Sequence, residues 1–144
     1  MSIRNAVVAV TAAAVLGFSA GVIRDTDGTD VQLYGGTARY DTTHGWFLVE
    51  NDTHAALGVR DPTCDRHSGL LTVFLDRPAA RVVSSWADTD ETLSLYGYTV
   101  GASVGVDRVY LRFTKAGAMV PCQSVGLALR NGNVWFGGIM LPTE

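Results

Sequence analysis

With 144 residues the chain is long enough for one hydrophobic core and too short for two. Apolar residues make up 47% of it and charged residues 17%, which excludes an intrinsically disordered chain. Eleven basic residues against fourteen acidic ones, with Lys115 the single lysine, leave no basic stripe to neutralise phosphates, so nucleic acid is not an expected partner.

Residues 1–21 open on one basic residue, Arg4, followed by AVVAVTAAAVLGFSAG. Three readings compete. As a secretory signal peptide the segment has few positive charges, and cleavage after Ala20 puts Phe18 at the −3 site. As a membrane anchor it is short and weakly apolar, with Thr11, Gly17, Ser19 and many alanines. As a retained arm it forms two short strands, 6–10 and 14–18. The retained arm is the leading expectation, with no membrane partner. An apolar arm cannot be left in water, so Ile3, Val7, Val8, Val10, Val15, Leu16 and Phe18 are the expected assembly interface, on the chain's own domain or a neighbouring subunit.

From residue 22 to 144 the pattern is strand and turn, which makes one β domain. Val22 to Arg24, the turn DTDGTD and VQLYGG read as a hairpin, with Asp27-Gly28 supplying positive φ. WFLVE is a strand closed by Asn51-Asp52-Thr53. LLTVFLD puts Leu71, Val73 and Leu75 on one face and is ended by Pro78. ARVVSSW is the next strand. DTDETLSLYG admits a helical turn capped by Asp88 or Thr89, with Glu91 in its first turn. DRVYLRFT alternates most clearly, with Val109, Leu111 and Phe113 directed inward. LALR, Asn131-Gly132 and NVWFGGIML read as a closing hairpin. About ten short strands predict an all-β, single-domain antiparallel β-sandwich or small barrel.

Cys64, in the loop-like DPTCDRHSG, and Cys122, after Pro121, are either a disulfide or two small buried thiols. Pairing them closes a loop of roughly 60 residues, stabilises by about 4 kcal/mol and implies an oxidising milieu. Residues 101–105, GASVG, match the G-x-S-x-G of serine hydrolases. A strand follows instead of a helix, and the last histidine, His67, precedes Ser103 instead of following it, so the segment reads as a glycine turn. His44, His54 and His67 are too scattered for a metal site. Asp25, Asp27 and Asp30 resemble the start of a calcium loop, but its twelfth position is Gly36. No cofactor and no catalytic residue is expected. Trp46, Trp86, Trp135, Tyr34, Tyr96, Tyr98 and Tyr110 are core residues or a platform for sugar rings. Asn51-Asp52-Thr53 is a glycosylation sequon, meaningful only in a eukaryotic secretory route.

The opening MSIRNAVVAVTAAAVLGFSAG with VQLYGG, the run DETLSLYGYTVGASVGVDRVYLRFTKAG and the closing GNVWFGGIM together resemble small β-structured virion proteins of tailed phages that infect actinobacteria, of the capsid-decoration or tail-fibre type. The resemblance covers about half the chain and carries over no site residue. It implies a non-enzymatic virion subunit that binds copies of itself or other virion proteins as a homo-oligomer. The cysteine pair and the signal-like start depart from that pattern. They keep open an alternative, an extracellular protein- or glycan-binding domain secreted by a bacterium.

Overall fold

The computed structural model describes residues 22–24, 30–51, 54–128 and 132–143. They form ten strands and two short helices: β1 (Val22–Arg24), β2 (Asp30–Asp41), β3 (Gly45–Leu48), β4 (Val59–Cys64), β5 (Leu71–Leu75), β6 (Ala79–Thr89), α1 (Glu91–Leu95), β7 (Tyr98–Val104), β8 (Arg108–Lys115), β9 (Ala118–Val120), α2 (Cys122–Ala128) and β10 (Asn133–Pro142). The strands make two antiparallel five-stranded sheets facing each other, which resolves the expected all-β domain as a sandwich instead of a closed barrel.

Sheet A has the order β1-β2-β10-β6. The long β2 pairs with β10 along one edge. Its other edge is shared by β1 at residues 30–32, by Leu57 opposite Gly35, and by β3 at residues 38–41. Sheet B has the order β4-β5-β8-β7, with β9 continuing the edge of β8 beyond β5. The alternation read from the sequence holds here: Leu71, Val73 and Leu75 of β5 and Val109, Leu111 and Phe113 of β8 are all buried. They meet Tyr34, Ala38, Val134, Phe136 and Met140 from sheet A in one core. Trp46 stacks on Phe113 at 5.7 Å and meets the edge of Tyr40 at 5.8 Å, and its Nε1 donates to the Cys122 carbonyl at 3.3 Å. Three rings thereby fill the end of the sandwich nearest the disulfide.

Four local expectations are corrected. The closing hairpin does not form. Residues 122–128 are helical, and β10 pairs with β2 and β6 instead of with the chain just before it. Pro121 starts that helix, its carbonyl accepting from Ser124 N and Val125 N, and Cys122 and Val125 are buried three residues apart on its inner face. Cys64 is the last residue of β4 and not part of a loop. Asp-Pro had hidden that strand, which tolerates Pro62 because the ladder skips from Arg60 to Thr63, with Asp61 at φ 50°. Gly101 to Val104 are strand residues of β7, paired through Ser103 with Tyr110, and only Gly105 lies past its end.

The cap of α1 is Asp90, one residue beyond the expected pair. Its carboxylate accepts from Leu93 N at 3.0 Å and from Asn133 N at 2.6 Å, while Asp90 N donates to the Asn133 carbonyl. One side chain thus caps a helix and anchors the start of β10. Asp90→Ala is expected to destabilise by about 2 kcal/mol, because it removes the cap and leaves the Asn133 amide without its acceptor. Urea unfolding monitored by fluorescence reads this loss, whereas Asp90→Asn should recover more than half of it.

Candidate functional site: a glycine-floored groove between two tryptophans

Two strands of sheet A carry the same sequence device: Tyr34-Gly35-Gly36 in β2 and Phe136-Gly137-Gly138 in β10. The antiparallel register sets Tyr34 opposite Gly138, Gly36 opposite Phe136, and Gly35 opposite Gly137. On the inner face each ring therefore faces the other strand's glycine. The Tyr34 ring reaches over Gly138, and its hydroxyl donates to the Ser84 carbonyl at 3.3 Å. Burial pushes the Tyr34 hydroxyl up to about 12, so it stays a neutral donor.

On the outer face the same register leaves a bare patch, since Gly35 and Gly137 present no side chain. Gly35 has φ 153°, and a Cβ there would fall 2.5 Å from the Phe136 carbonyl oxygen, so only glycine fits. Trp86 of β6 is the partner of Gly137 and its ring lies against that residue, with the nearest ring carbon 3.1 Å from where a Cβ would stand. Trp135 of β10 stands one row further along. Trp86 is 53% and Trp135 37% exposed, values far above those of the core aromatics. Together with Leu33, Thr37, His54, Ala55, Leu57, Ser84 and Ile139 they bound a groove of about 630 Å³ that is open to solvent. Its floor is ladder backbone, already hydrogen-bonded, and its walls are largely apolar.

The groove gathers only some of the predicted aromatics. Trp46, Tyr34 and Tyr98 belong to the core, Tyr110 is half-buried beneath Gly105, and Tyr96 is exposed at the end of α1. The glycine floor is what sequence reasoning missed, although the repetition of an aromatic residue before Gly-Gly was visible.

The remaining predicted residues are accounted for separately. Cys64 and Cys122 form a disulfide with Cα atoms 5.8 Å apart, joining the end of β4 to the start of α2. Ile3, Val7, Val8, Val10, Val15, Leu16 and Phe18 lie outside the described residues, as do Asp25, Asp27 and the last two residues of the sequon, Asp52 and Thr53. His44 and His67 each sit in a turn closed by an aspartate. Asp41 accepts from His44 N and contacts its ring, and Asp65 accepts from His67 N. The backbone N–H groups of His44 and His67 respectively are the main reason both carboxyls are held below the usual carboxylate range. His54 pairs with Asn51. Among the described residues no group of three or more His, Cys, Asp or Glu could hold a metal ion, and no helix is long and apolar enough to cross a membrane. Ser103 lies within a regular ladder and lacks the strand-turn-helix elbow that activates a hydrolase serine.

No protein-family model matches the chain, and searches of the curated proteins and of the solved structures return no match.

Proposed function

We propose that this protein is a non-enzymatic structural subunit of the virion type its sequence resembles, and that it binds neighbouring copies of itself or other virion proteins through the outer face of sheet A. The observation that supports this reading is the Trp86–Trp135 groove. Two large rings are held half in water over a floor in which β10 is hydrogen-bonded to β2 on one side and to β6 on the other. Rings of this kind fit the energetic centre of an interface: a tryptophan brings a large apolar area at little entropic cost, and a rigid floor loses nothing on binding. The groove offers no set of titratable groups for general acid or base work, which fits contact better than catalysis.

Sedimentation velocity on the full chain tests this. The native protein should self-associate, and W86A/W135A should weaken association by about 2 kcal/mol or more, roughly thirtyfold, without loss of the β spectrum. A native chain that stays monomeric at every concentration and in mixtures with its virion neighbours would sink the assembly reading.

A second reading, a secreted bacterial domain that binds a glycan, draws on the same groove and on the disulfide. Tryptophan rings stack on sugar faces, hydroxyl and imidazole groups of Thr37, Ser84 and His54 edge the floor, and the Cys64–Cys122 bond suits an oxidising exterior. Under that reading soluble N-acetylglucosamine oligomers should quench tryptophan emission in a monomer, and W86A/W135A should abolish the response.

A further inference from the structure

The Cys64–Cys122 bond is chemistry that neither binding role uses, and its two ends stand in different surroundings. Cys122 keeps 0% of its surface in water, and its carbonyl accepts from the Trp46 ring nitrogen. Cys64 ends β4 only partly buried. It borders a cavity of about 370 Å³ whose other walls include Tyr40, His44, Trp46, Arg66 and Gln123 and do not include Cys122.

This asymmetry decides what a thiol can do here. A thiolate displaces one sulfur from the other by approaching in line with the S–S bond, from behind the sulfur it attacks. The attacked sulfur therefore needs open space, whereas the leaving sulfur needs none. Cys64 has that space and Cys122 lacks it. Arg66 brings a cation to the cavity wall, which favours an anionic sulfur there. The neighbouring aspartates are engaged: Asp65 accepts from His67 N and Ser68 Oγ, and Asp41 contacts the His44 ring. The Gln123 carboxamide oxygen lies 3.4 Å from Cys64 Sγ and 3.7 Å from Cys122 Sγ. Neither sulfur of a disulfide has a proton to give, and a half-turn of the carboxamide in place aims its NH2 at them instead. An N–H donor there offsets the cost of a thiolate on the buried Cys122.

We propose that Cys64 is a site of reversible S-thiolation by a low-molecular-weight thiol, with Gln123 donating to the departing Cys122 sulfur. The incoming thiol gives its proton to water and its sulfur bonds to Cys64 Sγ. The Sγ–Sγ bond breaks, and its electron pair leaves on Cys122 Sγ, which then takes a proton from water. The incoming thiol is thereby oxidised to a mixed disulfide and the Cys122 sulfur is reduced to a thiol. The start of α2 keeps its other ties when the bond opens, since Cys122 N donates to the Gly69 carbonyl at 2.9 Å and the Tyr40 ring lies against Gly126. Cys122 thus stays in place for the reverse attack that restores the bond. The inference goes beyond both binding roles and depends on neither.

Thiol trapping on the full, oxidised chain tests it. The folded protein is exposed to reduced glutathione, quenched at early times with N-ethylmaleimide, and digested for mass spectrometry. Glutathione on Cys64 with N-ethylmaleimide on Cys122 is expected in about tenfold excess or more over the opposite arrangement, and the excess should vanish in urea, where both sulfurs are open. Glutathione chiefly on Cys122, equal labelling of the two in the folded chain, or no mixed disulfide until the chain unfolds would overturn the proposal. An excess that persists in urea would overturn it as well, because sequence neighbours and not the cavity would then set the preference. Gln123→Glu, which places a negative charge at the sulfurs, should slow glutathione attack about tenfold, whereas a merely loosened structure would speed it. An unchanged or faster rate would overturn the part given to Gln123.

Discussion

Replacing both Cys64 and Cys122 by alanine is expected to lower stability by about 4 kcal/mol and the melting temperature by roughly 10–15 °C. The bond spans 58 residues of sequence, so in the unfolded chain it removes the closure entropy of a loop that includes β5, β6, α1, β7, β8 and β9. In the folded chain it ties the end of β4 to α2, beside the stacked Trp46 and Phe113. Cys122 is fully buried, so alanine there adds a small packing loss to the entropic one. Thermal melting with and without reductant checks the magnitude. A melting point that does not respond to reductant would show that the two sulfurs are unlinked in solution. The same result bears on location, because a domain that needs this bond keeps its stability only where thiols are oxidised.

Gly138→Ala should be among the most damaging single methyls in sheet A. The added Cβ would stand 2.2 Å from the Ser84 carbonyl oxygen and 2.3 Å from the Tyr34 hydroxyl. Neither can retreat easily, since Ser84 is ladder backbone of β6 and Tyr34 is enclosed by the core. A loss of roughly 3 kcal/mol or more is expected, together with displacement of the Tyr34 ring. Gly101→Ala provides the contrast. Nothing lies within 4 Å of its Cβ position, so the change should be neutral or stabilising by about 0.5 kcal/mol, even though it dismantles the G-x-S-x-G string. Urea unfolding of the two variants side by side separates them. Equal losses would contradict the reciprocal packing of rings on glycines.

Period-two burial was legible wherever one face of a strand is core and the other is wet. It located β5 and β8, and the turn residues and Pro78 bounded their neighbours. It failed where local chemistry and distant partners disagreed. Asn131-Gly132 carries a strong hairpin signal, but β10 finds better partners in β2, about 100 residues earlier in sequence, and in β6, and no local window reports a pairing of that range. Asp61-Pro62 opens the loop-like DPTCDRHSG, whereas the structure absorbs it as an irregularity inside β4. The groove was half legible. Trp86 and Trp135 stood among seven candidate aromatics, and only the register of β6, β10 and β2 decides that these two flank one glycine floor while Trp46 points into the core.

Hydroxyl-radical footprinting of the three tryptophans, on the full chain at increasing protein concentration, tests the contact face most directly. Trp46 should stay unreactive throughout, and Trp86 and Trp135 should be oxidised in dilute monomer and become protected as the chain associates. An oligomer in which Trp86 and Trp135 remain as reactive as in the monomer would contradict the account.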